Sequence, residues 1–343
     1  MSSNSSQNSL FLGIDLGGTN VKAGVVDASG RAHSHVSVET QAELGPGTGL
    51  ANIEKAGRLA LEEAGISSDA LRAVGLGSPG TMDLETGYLL DPPNLPGWTN
   101  FPIRDLLAAR LGLPTVLQND ANAAAFGEYW VGAGAGDRVR SMVMFTLGTG
   151  VGGGVIEHGR IIQGRHSAGS ECGHVIIDYH DTARMCPCGH RGHLEAYASA
   201  TSLVKRAVEG LASGELSALS KLQESGNLSA RAIAEAARAG DPFASRLMEE
   251  TAFYLAVGAV SVMNVIDPDM ILFGGGMIAA GTPFLDRIRF HVKRLAFPVP
   301  GEKCRVEFAS LGNDAGFIGA AGWAKSVFDA LDRGETIARY SMP

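Results

Sequence analysis

The chain has little cysteine: four residues in 343, at Cys172, Cys186, Cys188 and Cys304. Cys186 and Cys188 stand one residue apart, so a disulfide framework is a poor explanation and a reducing, cytoplasmic setting is expected. Long apolar runs are also missing. Apolar residues make up 45% of the sequence, yet no run approaches the ~18 residues of a membrane span, so the chain is expected not to cross a membrane. Lysine and arginine form no long cluster and the net charge is −8. Nucleic-acid surfaces draw most of their affinity from neutralised phosphate, so no nucleic-acid partner is expected. The pattern G-x-x-x-x-G-K-[ST] is absent, which excludes the phosphate loop of that ATPase class. Residues 1–9, MSSNSSQNS, lack the basic start, apolar middle and small-residue cleavage site of a secretion signal and read as a disordered tail. What remains is a chain long enough for two domains, directed at small-molecule chemistry.

Glycine, by contrast, is about twice its usual share of roughly 7%, at 46 residues. It concentrates in short loops, where backbone can approach a ligand. The segment 145–154, FTLGTGVGGG, contains G-x-G-x-x-G at Gly148, Gly150 and Gly153. A dinucleotide loop needs those glycines between a strand and a helix, because the pyrophosphate rests on the helix N-terminus. Here they lead into a second strand, Val151–Ile156, and a turn at His158-Gly159, so the dinucleotide reading fails. The same arrangement occurs near the start: FLGID, then LGGT, then a run over Asn20–Asp27. The two segments form a weak internal repeat. One glycine-rich hairpin is as well explained by a tight turn, but the pair suggests two loops closing on one phosphate chain with backbone N–H donors. Asp15, at the end of the first strand, is placed to hold Mg²⁺ indirectly.

Between the hairpins the pattern predicts a helix over Gly49–Ala64, a strand over Ala73–Gly77, a Gly/Pro-rich loop over Ser78–Phe101, a helix over Ile103–Leu111 and a strand over Thr115–Gln118. Later helices are expected over Leu194–Leu211, Ala230–Ala239, Pro242–Val265, Phe284–Ala296 and Ala315–Leu331, with strands at Met270–Phe273 and Arg305–Ala309. Alternating strands and helices place the chain in the α/β class. In VLQNDANAAAFGEYW, Asp120 falls at the N-cap or first turn of an alanine-rich helix. The helix dipole and free N–H groups there favour the ionised carboxylate. An ordinary cap would explain a lone aspartate, whereas its place between the two phosphate-loop candidates points to a base that takes a proton from an attacking hydroxyl.

Residues 171–195 read ECGHVIIDYHDTARMCPCGHRGHLE. His174, Cys186, Cys188 and His193 have the spacing H-x₁₁-C-x-C-x₄-H, and two cysteines with two histidines make a tetrahedral Zn²⁺ set. His180 and His190 compete for the same role. A closed site of this kind is structural and would hold Glu171 and Glu195 in place, while a ligating imidazole keeps its other nitrogen for a hydrogen bond. Carboxylates and an imidazole N–H at one spot suit a hydroxyl-rich ligand such as a sugar.

These residues resemble the ROK family of sugar kinases. GIDLGGTNVKAGVVD is similar to its first phosphate motif, TLGTGVGGG to its second, ECGH to its E-x-G-H sugar motif, CPCGHRGHLE to its zinc motif C-x-C-G-x-x-G-C-x-E, and FGGGM at 273–277 to its adenosine loop. The resemblance implies a two-lobed actin/hexokinase-like (ribonuclease H-like) ATPase fold around a cleft, with transfer of the γ-phosphoryl of Mg²⁺·ATP to a sugar hydroxyl. It implies Asp120 as catalytic base and Gly80, Asn94, Asn119, Glu171, His174 and Glu195 as sugar ligands. Gly17, Gly18, Thr19 and Lys22 match the first phosphate loop; Gly148, Thr149 and Gly150 match the second; Gly274, Gly275 and Gly276 match the adenosine loop. His193 departs from the pattern by replacing the third zinc cysteine. Imidazole is a good zinc ligand, so structural Zn²⁺ is still expected.

The domain expectation is a tail over 1–9, a small lobe over 10–118 completed by a C-terminal helix at about 315–333, and a large lobe over 119–314. Family members are commonly homodimers or homotetramers. Some are sugar-sensing repressors with an N-terminal helix-turn-helix; about ten residues precede the first strand here, too few for a DNA-reading helix pair. PNLPGW resembles the sugar loop of family glucokinases, which makes glucose the expected hexose, with mannose, fructose, N-acetylglucosamine and N-acetylmannosamine as alternatives. Polyphosphate remains an alternative donor to ATP.

Overall fold

Strands buried on both faces read as nearly continuous apolar runs, and Leu10–Leu16 and Leu71–Ser78 are of this kind. The computed structural model describes residues 9–92, 95–136, 138–335 and 340–341. It divides into two units: one comprises 1–136, 160–170 and 311–343, the other 137–159 and 171–310. The tail expected over 1–9 lies outside the described residues apart from Ser9.

The first unit begins with β1 (Leu10–Leu16), β2 (Asn20–Asp27), β3 (Val36–Glu39), α1 (Pro46–Ala64) and β4 (Leu71–Ser78). The hairpin β5 (Thr81–Asp83) and β6 (Tyr88–Asp91) follows within the predicted loop, then α2 (Ile103–Leu111), β7 (Thr115–Asn119) and α3 (Asp120–Val131). The second unit opens with β8 (Ser141–Leu147) and β9 (Val151–Glu157); the short return to the first unit carries β10 (Arg160–Ile161). Next come α4 (Glu195–Ala198), α5 (Ala200–Ala212), α6 (Leu219–Glu224), α7 (Ala230–Arg238) and α8 (Pro242–Ile266). Then β11 (Met270–Gly274), α9 (Thr282–Leu295), α10 (Pro298–Lys303) and β12 (Arg305–Phe308) complete this unit. The chain ends in the first unit with α11 (Ala315–Asp332) and β13 (Tyr340–Ser341). Among the described residues no helix is long and apolar enough to cross a membrane.

The first sheet has the order β13-β7-β4-β1-β2-β3. Strands β1, β4 and β7 run parallel, with β2 antiparallel to β1. Alternation decides what each face of β1 meets. Leu12 and Ile14 join Ile53 and Ala56 of α1 in one core, while Phe11 joins Phe317 and Ala321 of α11 in another. In the second unit β9-β8-β11-β12 repeats the plan: an antiparallel hairpin, then parallel strands. Phe145 and Phe273 are register partners whose rings stack 5.4 Å apart under α8 and α9. The weak sequence repeat is thus a repeat of strand topology.

The contact units differ from the expected lobe boundary at 118/119. Helix α3 belongs with the first unit because it packs on α11, backbone against backbone: a Cβ on Gly319 would overlap the Ala123 carbonyl oxygen. The predicted helix over Leu194–Leu211 is also broken. Ser199 is extended, with ψ 161°, and its side chain accepts from Ser202 N to cap α5. At the start of α1 the helix begins three residues earlier than predicted, at Pro46, which suits the first helical position.

Since the atom facing Gly319 is main chain, Gly319→Ala is expected to lower stability toward the upper end of the ~1–3 kcal/mol typical of overpacking. The urea midpoint checks this, and an unchanged midpoint would mean that the two helices separate at no cost.

Candidate active site

In the first unit the hairpin β1–β2 pairs Leu16 with Val21, with Gly17, Gly18 and Thr19 as the loop before Asn20 opens β2. Gly17 N donates to Asn20 O at 2.9 Å, and Thr40 ties the loop from the side, Oγ1 to Gly17 O at 2.6 Å and N to Thr19 O at 2.8 Å. Thr40 is a positioning residue that no motif indicated. Asp15 and Lys22 face each other across the strand pair, and the Lys22 ammonium donates to Asn313 O at 3.1 Å. The Asp15 carboxylate lies against Gly316 of α11, where any Cβ would overlap it. Burial first, then the neighbouring Asp120 charge, pushes Asp15 up to about 7, with Lys22 opposing.

Strand β7 delivers Asn119 and Asp120 to the start of α3. Asn119 is the cap: its Oδ1 accepts from Ala121 N at 3.0 Å and Asn122 N at 3.2 Å. Asp120 is the first helical residue rather than the cap, with Oδ1 accepting from Ala121 N at 2.8 Å. The cap engages the Asn119 carbonyl oxygen and leaves its NH₂ group to donate. Gly80 follows the end of β4 in a left-handed turn, φ 87°, and the register that sets Ser78 beside Asn119 brings the Ser78-Pro79-Gly80 turn near α3. Asn94 lies outside the described residues.

In the second unit β8 and β9 pair Leu147 with Val151 around a loop of three residues, Gly148, Thr149 and Gly150. Gly153 lies within β9 opposite Phe145, so the G-x-G-x-x-G pattern is a hairpin and not a strand-to-helix loop. Gly148 N donates to Gly150 O at 3.0 Å, and Gly148 O accepts from Ala200 N at 2.9 Å. Gly274 ends β11 beside Thr146. Gly275, φ 86°, passes so close to this hairpin that a Cβ would sit 2.5 Å from Leu147 O. Gly148, Thr149 and Gly276 therefore share the wall of one cavity of about 300 Å³. The two glycine segments, 124 residues or more apart in sequence, converge here.

The metal candidates also converge. One donor atom from each of His174, Cys186, Cys188 and His193 lies within 4.8 Å of all the others. His174 Nδ1 is 3.2 Å from His193 Nδ1, Cys188 Sγ is 3.2 Å from His193 Nδ1, and Cys186 Sγ is 3.9 Å from His174 Nδ1. A tetrahedral zinc with ordinary bond lengths has edges of about 3.6 Å, so this donor set fits the ion. His180 and His190 fall outside the set. Burial, helped by His174 and His190, lowers His193 and keeps its imidazole in the neutral form that ligates. Both histidines turn Nδ1 toward the cluster, which leaves the His174 Nε2 for another partner.

Glu195 makes a connection that sequence spacing does not reveal. Its Oε2 accepts from Val151 N at 2.9 Å, and Oε1 is 3.6 Å from Cys186 Sγ. The carboxylate ties the second glycine hairpin to the cysteine–histidine cluster. Glu171 opens the turn that carries His174, and desolvation raises its carboxyl, with His174 opposing and Glu195 adding to the rise. Burial pushes the Cys172 thiol up to about 12, leaving it unreactive at neutral pH.

Comparison with known proteins agrees with this geometry. A model of the ROK family matches residues 11–327. A glucokinase of Halalkalibacterium halodurans is 34% identical over 325 residues, spanning 94% of this chain and 97% of that protein. The glucokinase of Thermotoga maritima is 37% identical over 314 residues, spanning 91% and 96%. Among solved structures, a ROK family glucokinase from Streptomyces griseus in complex with glucose and AMPPNP superposes with a TM-score of 0.78 at 35% identity, covering 93% of this chain and all of that one.

Proposed function

The chain belongs to the ROK family and has its two-lobed actin/hexokinase-like fold, and from that footing we propose that it is a sugar kinase that phosphorylates glucose with ATP. The observation that carries this reading is the placement of Asp120 on the first turn of α3, in the unit that holds the first phosphate hairpin and beside Asp15. An aspartate oxygen there takes the proton of a sugar hydroxyl. The hydroxyl oxygen then bonds to the γ-phosphorus as the bond to the β–γ bridging oxygen breaks, and ADP leaves. Gly17, Gly18, Thr19, Lys22, Gly148, Thr149 and Gly150 supply donors to the phosphates. Asn119, Gly80, Glu171, His174 and Glu195 hold the sugar, and Gly274–Gly276 the nucleoside.

Initial rates of ADP formation with glucose, mannose, fructose, N-acetylglucosamine and N-acetylmannosamine, each against a no-sugar blank, test the assignment. Saturable turnover led by glucose is expected. A sugar that binds without raising the rate would replace the kinase with a sensor.

Asp15 and Asp120 place negative charge together with Lys22 as the nearby cation, and this excess suits Mg²⁺, which would neutralise phosphate charge when bound. The same crowding has a consequence for the protein without nucleotide. Between the ordinary carboxylate value of 3.8 and about 7, folded Asp15 keeps a proton that the unfolded chain has lost. Stability should therefore fall as pH rises through that window and level off above it. His193, lowered in the fold, acts in the opposite sense. Urea midpoints of the wild type and Asp15→Asn across the window separate the two, since the variant should lose the downward slope; parallel curves would place the titration elsewhere.

A further inference from the structure

The cavity shared by Gly148, Thr149 and Gly276 continues into an apolar slot walled by Leu203, Ala234, Met248 and Met277. Its polar lining is sparse. Apart from Thr149, the polar side chains there are those of Ser229, Arg231 and Arg238. Ser229 caps α7, accepting from Ala232 N at 3.2 Å, and Arg231 pairs with Glu235 at 2.9 Å. Arg238, the last residue of α7, is exposed and, among the described residues, has no hydrogen-bond or ion-pair partner. No acidic or amide side chain lines the slot among the described residues.

The kinase reading already seats the base of the phosphoryl donor in this slot beside Gly276; we infer that the slot accepts purines without distinguishing adenine from guanine or hypoxanthine, and that Arg238 is the side chain that holds the base. The inference rests on the kinase reading and extends it to donor specificity. A cavity of about 300 Å³ with apolar walls rewards a flat ring, and the larger purine buries more surface than a pyrimidine. Separating guanine from adenine calls for an acceptor fixed at the guanine N1–H and amino group, or for a donor fixed at the adenine N1. Ser229 is committed to the α7 cap and Arg231 to Glu235, hydroxyls donate and accept alike, and no contact fixes the exposed Arg238 at one edge of the base, so none of these side chains makes that distinction. The ring nitrogens and the π-face that Arg238 can engage are common to all purines. A site that reads by shape and stacking discriminates weakly compared with one built on paired hydrogen bonds.

Calorimetric binding of ADP, GDP, IDP, CDP and inorganic tripolyphosphate to the full chain tests this without relying on turnover. The expected result is that GDP and IDP bind within about tenfold of ADP, with CDP weaker. Arg238→Ala should weaken all three purine nucleotides by about 5- to 30-fold and leave tripolyphosphate unchanged. Arg238→Lys, which keeps the charge but not the planar group, should recover only part of the loss. A preference for ADP over GDP beyond a hundredfold would overturn base tolerance while leaving the kinase intact. An equal loss for tripolyphosphate would move Arg238 from the base to the phosphates and overturn its assignment. If no nucleotide binds, the ATP-dependent kinase reading falls and this inference with it.

Discussion

Asp120→Asn is expected to lower turnover by at least ~10², the smaller end of what a positioned general base contributes, while sugar binding stays largely intact. The substitution keeps the side-chain shape and the oxygen that accepts from Ala121 N at 2.8 Å, so α3 should start as before. What it removes is the ability to take a proton. Asn119, whose side chain makes the cap, is a separate residue, and this separation lets a catalytic loss be told from a helix-start loss. Rates with Mg²⁺·ATP and glucose, set beside calorimetric glucose binding and the urea midpoint, decide the matter. Full turnover in a folded variant would mean that the proton goes elsewhere.

Cys186→Ser should lose the bound metal and raise the glucose KM by at least ~10-fold, with a smaller effect on the nucleotide KM. Cys186 is buried, and its sulfur stands 3.9 Å from His174 Nδ1 and 3.6 Å from Glu195 Oε1. Without the ion, two histidines and two cysteines no longer hold the segment 171–195, and both Glu171 and Glu195 ride on it. Elemental analysis of freshly purified wild-type protein is expected to give about one zinc per chain. Active, folded wild-type protein free of zinc would remove the structural role. With zinc bound, the His193 imidazole, which stands where the resembled zinc motif has a thiolate, would make the site neutral with two thiolates rather than negatively charged with three.

Local chemistry made much of the site legible. A strand, a glycine turn and a second strand form a hairpin through residues adjacent in sequence, which is why Gly17–Thr19 and Gly148–Gly150 can be read as loops from the amino acids alone. The strand leading into Asn119-Asp120 and an alanine-rich helix is equally local. Only the choice of Asn119 over Asp120 as the cap is left to the way the strand enters the helix. The cysteine–histidine set is readable for the same reason, since its ligands occupy one segment of 20 residues. It left three histidines as candidates beside His174, because spacing does not say which imidazole turns inward.

Contacts made across long stretches of chain were not legible. Helix α11 returns to the first unit from beyond residue 310 and meets β1, β4 and α3 through glycines, and this contact assigns α3 to that unit. The same return brings Gly316 against Asp15, and the enclosure with Asp120 beside it raises that carboxyl to about 7. Glu195 finds Val151, and Gly275 finds Leu147, over separations that no periodicity records. By itself the sequence determined which residues carry donors, carboxylates and candidate metal-binding groups, and the short turns that present them, because those depend on neighbours a few residues away. The tertiary structure alone decided which of them meet and what charge each keeps, because burial and proximity are set by side chains brought together from distant parts of the chain.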